Sequence, residues 1–264
     1  MLMETLSTQM RAYLRSALAD DSFMLAGNTF RALKRRGFIK PSGGLTEDGW
    51  RQAVLLSKLP AQCEQLEIPI RSLNDFKYEG APERAVWLHL KEEGYEGSYC
   101  EGGAVLIIIR AAALDALARL NTFGSREDAC SRYTEAQLKI HEARISEIMA
   151  AIEQASLDSV LKNFHEIYCS QMVREVYPDL TERCIDALFN AIGPMRLKKI
   201  AEAIAENPYQ YRAGWPDLTM AKGDEVLWAE VKTTDKLHIS QIITIGRMKP
   251  LLPGEVCVFH VRSA

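Results

Sequence analysis

The residues best suited to chemistry lie near the C-terminus. Asp217 sits in the run Gly214-Trp215-Pro216-Asp217-Leu218-Thr219, and Glu230 and Lys232 sit in Trp228-Ala229-Glu230-Val231-Lys232. On a strand, residues two apart project from the same face, so Glu230 and Lys232 point together. Asp217 opens the preceding strand, across a tight turn at Lys222-Gly223-Asp224. Two carboxylates and an ammonium are therefore expected to converge at one end of a sheet. Hard oxygen ligands of this kind hold one or two Mg²⁺ or Mn²⁺ ions, which polarise a phosphate and activate water, while a lysine beside them orients that water and offsets developing charge. The spacing fits phosphodiester hydrolysis. As a bare pattern it is weak: Pro178-Asp179 is a second Pro-Asp with no acidic-x-Lys after it before the same Glu230. Asp217 stands out because its hairpin is followed by a helix carrying Gln241. The bland alternative is a surface hairpin with an ordinary Glu–Lys pair.

The elements that must position these groups are legible from periodicity. Trp215 to Met220, Val226 to Lys232 and Val256 to Val261 read as strands, and Ser240 to about Met248 as a helix, so the tail is β-β-α-β around a small mixed sheet. Upstream, residues 125 to about 205 read as helices, with capping-box spacing at Ser125/Asp128 and Thr134/Gln137. Ala104 to Leu120 is an apolar stretch interrupted by Arg110, Asp115 and Arg119, hence a buried helix and no membrane span. Pro82 to Gly94 reads as a helix, Gly94 to Gly103 as a turn, and residues 59 to 80, with Pro60, Pro69 and Gly80, as a loose connector. In the front region, Thr29 to Arg36 reads as a helix capped by Asn28 and ended by Gly37 and Phe38; a turn-rich hairpin over Ile39 to Leu45 follows, and Thr46 caps a second helix toward Leu56.

Composition narrows the classes. With 264 residues, 47% hydrophobic and 25% charged, the chain can bury a full core, and 16 Gly, 10 Pro and six scattered Cys exclude disorder, collagen-like repeats and a disulfide scaffold. None of the cysteines forms a CxxC pair, which excludes a zinc knuckle and points to a reducing cytoplasm. Met1 to Ala19, broken by Glu4, Arg11 and Arg15, has no apolar core for a signal peptide. The net charge of −3 hides an asymmetry: residues 25 to 60 hold seven Lys and Arg against Glu47 and Asp48, making that segment +5 and the rest −8. A basic patch on an acidic chain suits a DNA-associated protein with metal-binding carboxylates elsewhere, although a solvated helix face has the same composition. Arg31, Lys34 and Arg35 share one helix face, suited to phosphates or a groove. The pattern Leu33 to Ile39 followed by Gly44 to Gly49 resembles the recognition helix and wing of winged-helix DNA-binding domains.

The paired motifs carry a wider resemblance. Gly214 to Leu218, Glu230 to Lys232, Asp235, Leu237 and Gln241 are similar to the strand, strand and helix motifs of the VRR-NUC branch of the PD-(D/E)XK nuclease superfamily, in particular its Fanconi-associated nuclease type. Larger members place a further catalytic glutamate upstream, in a Gly-(Phe/Tyr) turn ending Glu-Gly before an apolar helix; Gly94-Tyr95, Glu101-Gly102 and Ala104 to Leu120 match it. The resemblance covers about residues 81 to 264. It implies that Asp217, Glu230 and Glu101 hold the metal with the backbone carbonyl of Val231, that Lys232 positions the attacking water, and that Gln241 steadies the scissile phosphate. Two features depart from it: the loop from Lys232 to Asp235 is one residue short, and Thr233-Thr234 replaces the usual Gly-Pro. The SAP and TPR-like regions that precede the nuclease in large relatives are not expected in a chain of 264 residues, so their grip on a flap or 5′ phosphate is not expected to carry over.

Glu101 also has a physical case: it begins a helix, where the dipole favours an anion, and two glycines follow it. Secondary candidates are His238 and Arg212 for phosphate contact; Arg196, Lys198 and Lys199 could line a DNA path or a solvated face. Tyr209, Tyr211 and Trp215 could stack on a base or pack, with Trp215 expected to pack. His89, His141 and His165 lack partners at ligand spacing. The expected fold is α/β (α+β, helix-rich): a winged-helix-like domain over 1–78 and, over 79–264, a restriction-endonuclease-like PD-(D/E)XK core interrupted by helices, with its catalytic part over about 211–264. The expected activity is metal-dependent DNA cleavage, with flapped or branched DNA favoured. A Holliday-junction resolvase, a restriction-type or RNA nuclease and an inert DNA-binding scaffold remain alternatives, and homodimerisation is left open.

Overall fold

The computed structural model describes residues 6–20, 22–23 and 27–262; Glu4 lies outside them. Its front region is three helices, α1 (Thr8–Ala19), α2 (Asn28–Arg35) and α3 (Glu47–Leu56). α2 ends as expected: Gly37 adopts φ +77°, and the N–H of buried Phe38 reaches back to the Leu33 carbonyl at 3.0 Å. Its start differs from expectation, because Gly27 is the N-cap and Asn28 lies inside the helix. Ile39 and Leu45 pair as an antiparallel bridge, and the Thr46 hydroxyl accepts from the Gly49 N–H at 3.1 Å to cap α3. Tyr13, Leu14, Leu33, Phe38, Ile39, Leu45 and Ala53 form a core of their own.

Residues 59 to 80 are more structured than a connector. Leu59–Leu66 is helix α4, burying Leu59, Gln62, Cys63 and Leu66, and Ile70–Leu73 is strand β1. Pro60 occupies the first turn of α4, where its missing N–H costs nothing, so the prolines here mark a helix start and a strand approach. The boundary expected at residue 78 consequently falls inside the sheet layer: β1 is a sheet strand, and only the part before α4 has a separate core.

The remaining elements are α5 (Pro82–Glu92), β2 (Glu96–Ser98), α6 (Gly103–Leu120), and a helical block of α7 (Arg126–Ser131), α8 (Thr134–Ile140), α9 (Ile145–Glu153), α10 (Leu157–Tyr168), α11 (Gln171–Val176), α12 (Glu182–Ile192) and α13 (Pro194–Glu206). β3 (Leu218–Lys222), β4 (Glu225–Lys232), α14 (Ile239–Met248) and β5 (Glu255–Val261) complete the chain. The run Gly94 to Gly103, expected as a turn, contributes β2. Ser125 caps α7 as expected, whereas the Thr134 hydroxyl turns away from the start of α8 and donates to the Leu106 carbonyl at 2.8 Å. The strand expected from Trp215 begins at Leu218.

The sheet order is β1-β5-β4-β3-β2, with β1, β5 and β4 parallel and β4, β3 and β2 antiparallel. Alternation along β4 sorts the two faces. Leu227, Ala229 and Val231 pack with Val86 and Leu90 of α5, while Val226 and Trp228 face the larger core built around α6. Glu230 and Lys232 continue that second row, so they are carried into the layer holding α6, α4 and α14.

Candidate active site

β3 starts at Leu218, which pairs with Ala229, and β4 runs three residues past that pair. Asp217 fills the step. Its carboxylate accepts from the Val231 N–H at 2.8 Å, and its backbone carbonyl accepts from the Glu101 N–H at 3.2 Å. The polar end of the sheet is therefore closed by one residue reaching both ways. In an extended strand the N–H and C=O of a residue point to the same side, so the Val231 carbonyl lies on the side of Asp217.

Glycines make the approach possible. A Cβ on Gly214 (φ +81°) would lie 2.2 Å from the Ser240 backbone, and one on Gly102 (φ +76°) would lie 2.4 Å from the Trp215 ring. Trp215 is buried and donates to the Tyr211 carbonyl at 2.8 Å, so it packs as expected and anchors the loop leading to Asp217. Glu101 itself takes φ +47°, a left-handed conformation imposed at the mouth of α6.

Glu230 is completely buried. Its Oε1 receives Lys232 Nζ at 2.7 Å and the Gln241 side-chain amide at 2.5 Å, while Oε2 has no hydrogen-bond partner among the described residues. Lys232 also lies 3.4 Å from Asp235. The Gln241 oxygen accepts from the His238 N–H at 2.9 Å, so one side chain caps α14 and holds Glu230.

Electrostatics follow from this crowding. Burial pushes Asp217 up from the ordinary carboxylate range, against the Val231 hydrogen bond and Lys232, and the charges of Glu83 and Glu101 push it further. Burial and the neighbouring Asp217 raise Glu230 as well, and the two titrate as a pair. Burial lowers Lys232, but Glu230, Asp235 and Asp217 outweigh it, so the ammonium stays charged. A buried acceptor without a donor, on one of two carboxylates that repel, is an arrangement that a cation would relieve, and the donors are all hard oxygens. Asp217 and Glu230 thus fit a divalent ion. Among the described residues no three His, Cys, Asp or Glu side chains close into a ligand cluster, and the Glu101 side chain is exposed. Glu101 is brought to Asp217 by its backbone N–H, while its side chain is exposed.

No protein-family model and no curated protein matches the chain, but solved structures do. Crystal structures of paFAN1 bound to 2-nt and 1-nt 5′-flap DNA with a gap superpose with a TM-score of 0.56 each, at 17% and 21% identity, over 95% and 97% of this chain. The chain has a FAN1-like fold. It spans 45% and 50% of the length of those chains, about half.

Within this FAN1-like fold the remaining candidates separate. Arg31, Lys34 and Arg35 are exposed on α2 and make no ion pair among the described residues; Arg212 is exposed two residues before Gly214. His238 is largely exposed and lies 3.9 Å from Asp235. Lys198 is paired with Glu153 at 2.6 Å, whereas Arg196 and Lys199 are not fully buried. Tyr211 is buried and Tyr209 exposed. His141 is buried, and His89 and His165 lie beside Glu93 and Glu182. Sequence reasoning did not anticipate Glu83, in the first turn of α5, as a charge that raises Asp217. The available signal was an acid directly after Pro82 at a helix start. All six cysteines are free, and no helix among the described residues is long and apolar enough to cross a membrane.

Proposed function

We propose that this chain is a divalent-metal-dependent DNA endonuclease of the VRR-NUC, PD-(D/E)XK kind, acting on flapped or branched DNA in repair, recombination or mobile-element DNA processing. The observation that carries the reading is the buried, partnerless Glu230 Oε2 beside Asp217, with Lys232 held 2.7 Å from the other oxygen. An unpartnered buried carboxylate oxygen beside a second carboxylate calls for a cation or a proton, and the hard-oxygen donors around it favour the cation. Asp217 and Glu230 would hold one or two Mg²⁺ or Mn²⁺ ions, with the Val231 carbonyl and the Glu101 carboxylate as further donors. Such an ion, when bound, polarises the scissile phosphate. Lys232, kept charged by Glu230, orients the attacking water and offsets charge on the phosphate. Gln241, whose amide grips Glu230, steadies the scissile phosphate.

The front helices, winged-helix-like in their helix, hairpin, helix order, supply Arg31, Lys34 and Arg35 to DNA phosphates, and Arg212 adds a contact nearer the site. The fold shared with paFAN1, whose structures hold 5′-flap DNA, supports flapped DNA as the substrate class. The test is cleavage of labelled flap, splayed-arm, four-way-junction, duplex and single-stranded DNA in Mg²⁺ or Mn²⁺. Flap cutting that chelator abolishes, and that Glu101→Gln impairs at least as severely as Lys232→Ala, is the expected outcome. Binding with no cleavage of any substrate in either metal would make the chain a DNA-binding scaffold.

A further inference from the structure

The loop between β4 and α14, residues 233 to 238, joins Lys232 to Gln241, and both of these side chains touch Glu230. Within the loop, the side chain that pairs with Lys232 is Asp235, at 3.4 Å, and Asp235 is half-exposed. The start of the loop is held by His260 of β5, whose Nε2 lies 2.9 Å from the Thr233 carbonyl, and its far half needs an anchor of its own if the lysine and glutamine are to hold one geometry. That anchor comes from the front of the molecule.

Gln62, on α4 and fully buried, bonds Leu237 in both directions. Its oxygen accepts from the Leu237 N–H at 2.8 Å, and its amide donates to the Leu237 carbonyl at 3.2 Å. The same amide donates to the Val54 carbonyl of α3 at 3.2 Å. One carboxamide thereby satisfies three buried backbone groups, two on the loop and one on the front helix. Beside it, Lys236 of the loop donates to the Leu55 carbonyl and lies 3.5 Å from the Ser57 carbonyl, so its ammonium caps the C-terminus of α3. Lys236 is fastened directly to the end of α3 and Leu237 to it through Gln62, and α3 shares a core with the basic α2.

We propose that Gln62 and Lys236 are positioning residues: they lock the 233–238 loop to the C-terminus of α3, and through it set where Lys232 and Gln241 hold Glu230. The role rests on the nuclease reading for its kinetic consequence but not for its structural one. Leu237 lies two residues after Asp235 and four before Gln241, so freeing it loosens both arms on Glu230 at once. A role in bulk folding would instead weaken the whole molecule evenly.

The experiment compares Gln62→Leu, Lys236→Met and Lys236→Arg with wild type in the full chain. Amide hydrogen exchange over 233–241 is expected to speed up about tenfold in the first two variants, with α6 unchanged, and to return to the wild-type rate in Lys236→Arg, which keeps a cation for the carbonyls. On 5′-flap DNA with Mg²⁺, the first two should lose about tenfold in kcat at unchanged KM. Wild-type exchange over 233–241 in both Gln62→Leu and Lys236→Met overturns the proposal, as does faster exchange spread equally over α6. Should wild type cut no DNA, the nuclease reading falls and the exchange data alone decide the clamp.

Discussion

The carboxylate end of the sheet and the basic face of α2 are opposite solutions to placing charge. Glu230 is buried, gripped from its own strand and from α14, and repelled by Asp217, so its charge is held in place by the whole fold at a cost in stability. Arg31, Lys34 and Arg35 project into water from eight residues of helix whose single buried side chain is Leu33. The first arrangement requires long-range packing and can act on a reacting phosphate, because a dry site strengthens every charge in it. The second needs only helical periodicity and can act only on approach and affinity, because solvent screens it. Chemistry is thus expected to be sensitive to single atoms at one end, and binding to summed charge at the other.

The largest effect should come from the sheet end. Asp217→Ala and Glu230→Ala each remove an oxygen donor aimed at the open end, and cleavage should fall about 10³-fold or more, since a bound metal supplies several kcal/mol of transition-state stabilisation. Single-turnover cleavage rates on a 5′-flap, with circular dichroism to verify the fold, check this. Retained cutting in either variant would falsify the site.

The next effect is on stability. Asp217 and Glu230 have folded-state pKa values raised above those of the unfolded chain, so the native state is favoured where both are protonated, and that stability is lost as pH rises through the folded values. Metal-free wild type should therefore melt below an Asp217→Asn, Glu230→Gln double variant at neutral pH, with the gap closing as pH falls from the raised folded values to the ordinary carboxylate range. Mg²⁺ should raise the wild type and leave the variant unmoved. A gap that widens in acid would mean the pair is stabilising and would remove the strain from the comparison.

The smallest effect belongs to α2. Reversing Arg31, Lys34 and Arg35 to glutamate should weaken DNA binding and lower the slope of log affinity against log salt by about one for each phosphate no longer neutralised. The cleavage rate at saturating DNA should stay within about twofold, because these charges are not at the reacting phosphate. If the salt slope stays at its wild-type value, the basic face serves something other than DNA.

Residue types and short spacing were enough to determine several things about this chain. Asp217, Glu230 and Lys232 could be assigned to one sheet end because a two-residue strand repeat and a tight turn are local geometry. The Gly37 and Thr46 helix boundaries followed from backbone chemistry within a few residues. Other features were decided only in three dimensions. β1 is four residues long and pairs in parallel with β5 from the far end of the sequence, so neither its length nor its pattern announces it. Glu101 meets Asp217 because Gly102 lets α6 close against Trp215. Gln62 lies in the segment expected as a connector, and its amide bridges α3 and the loop before α14. Hydrogen-bond partners and buried carboxylates are properties of which segments meet, and segments far apart in the chain meet only once apolar faces have chosen their packing.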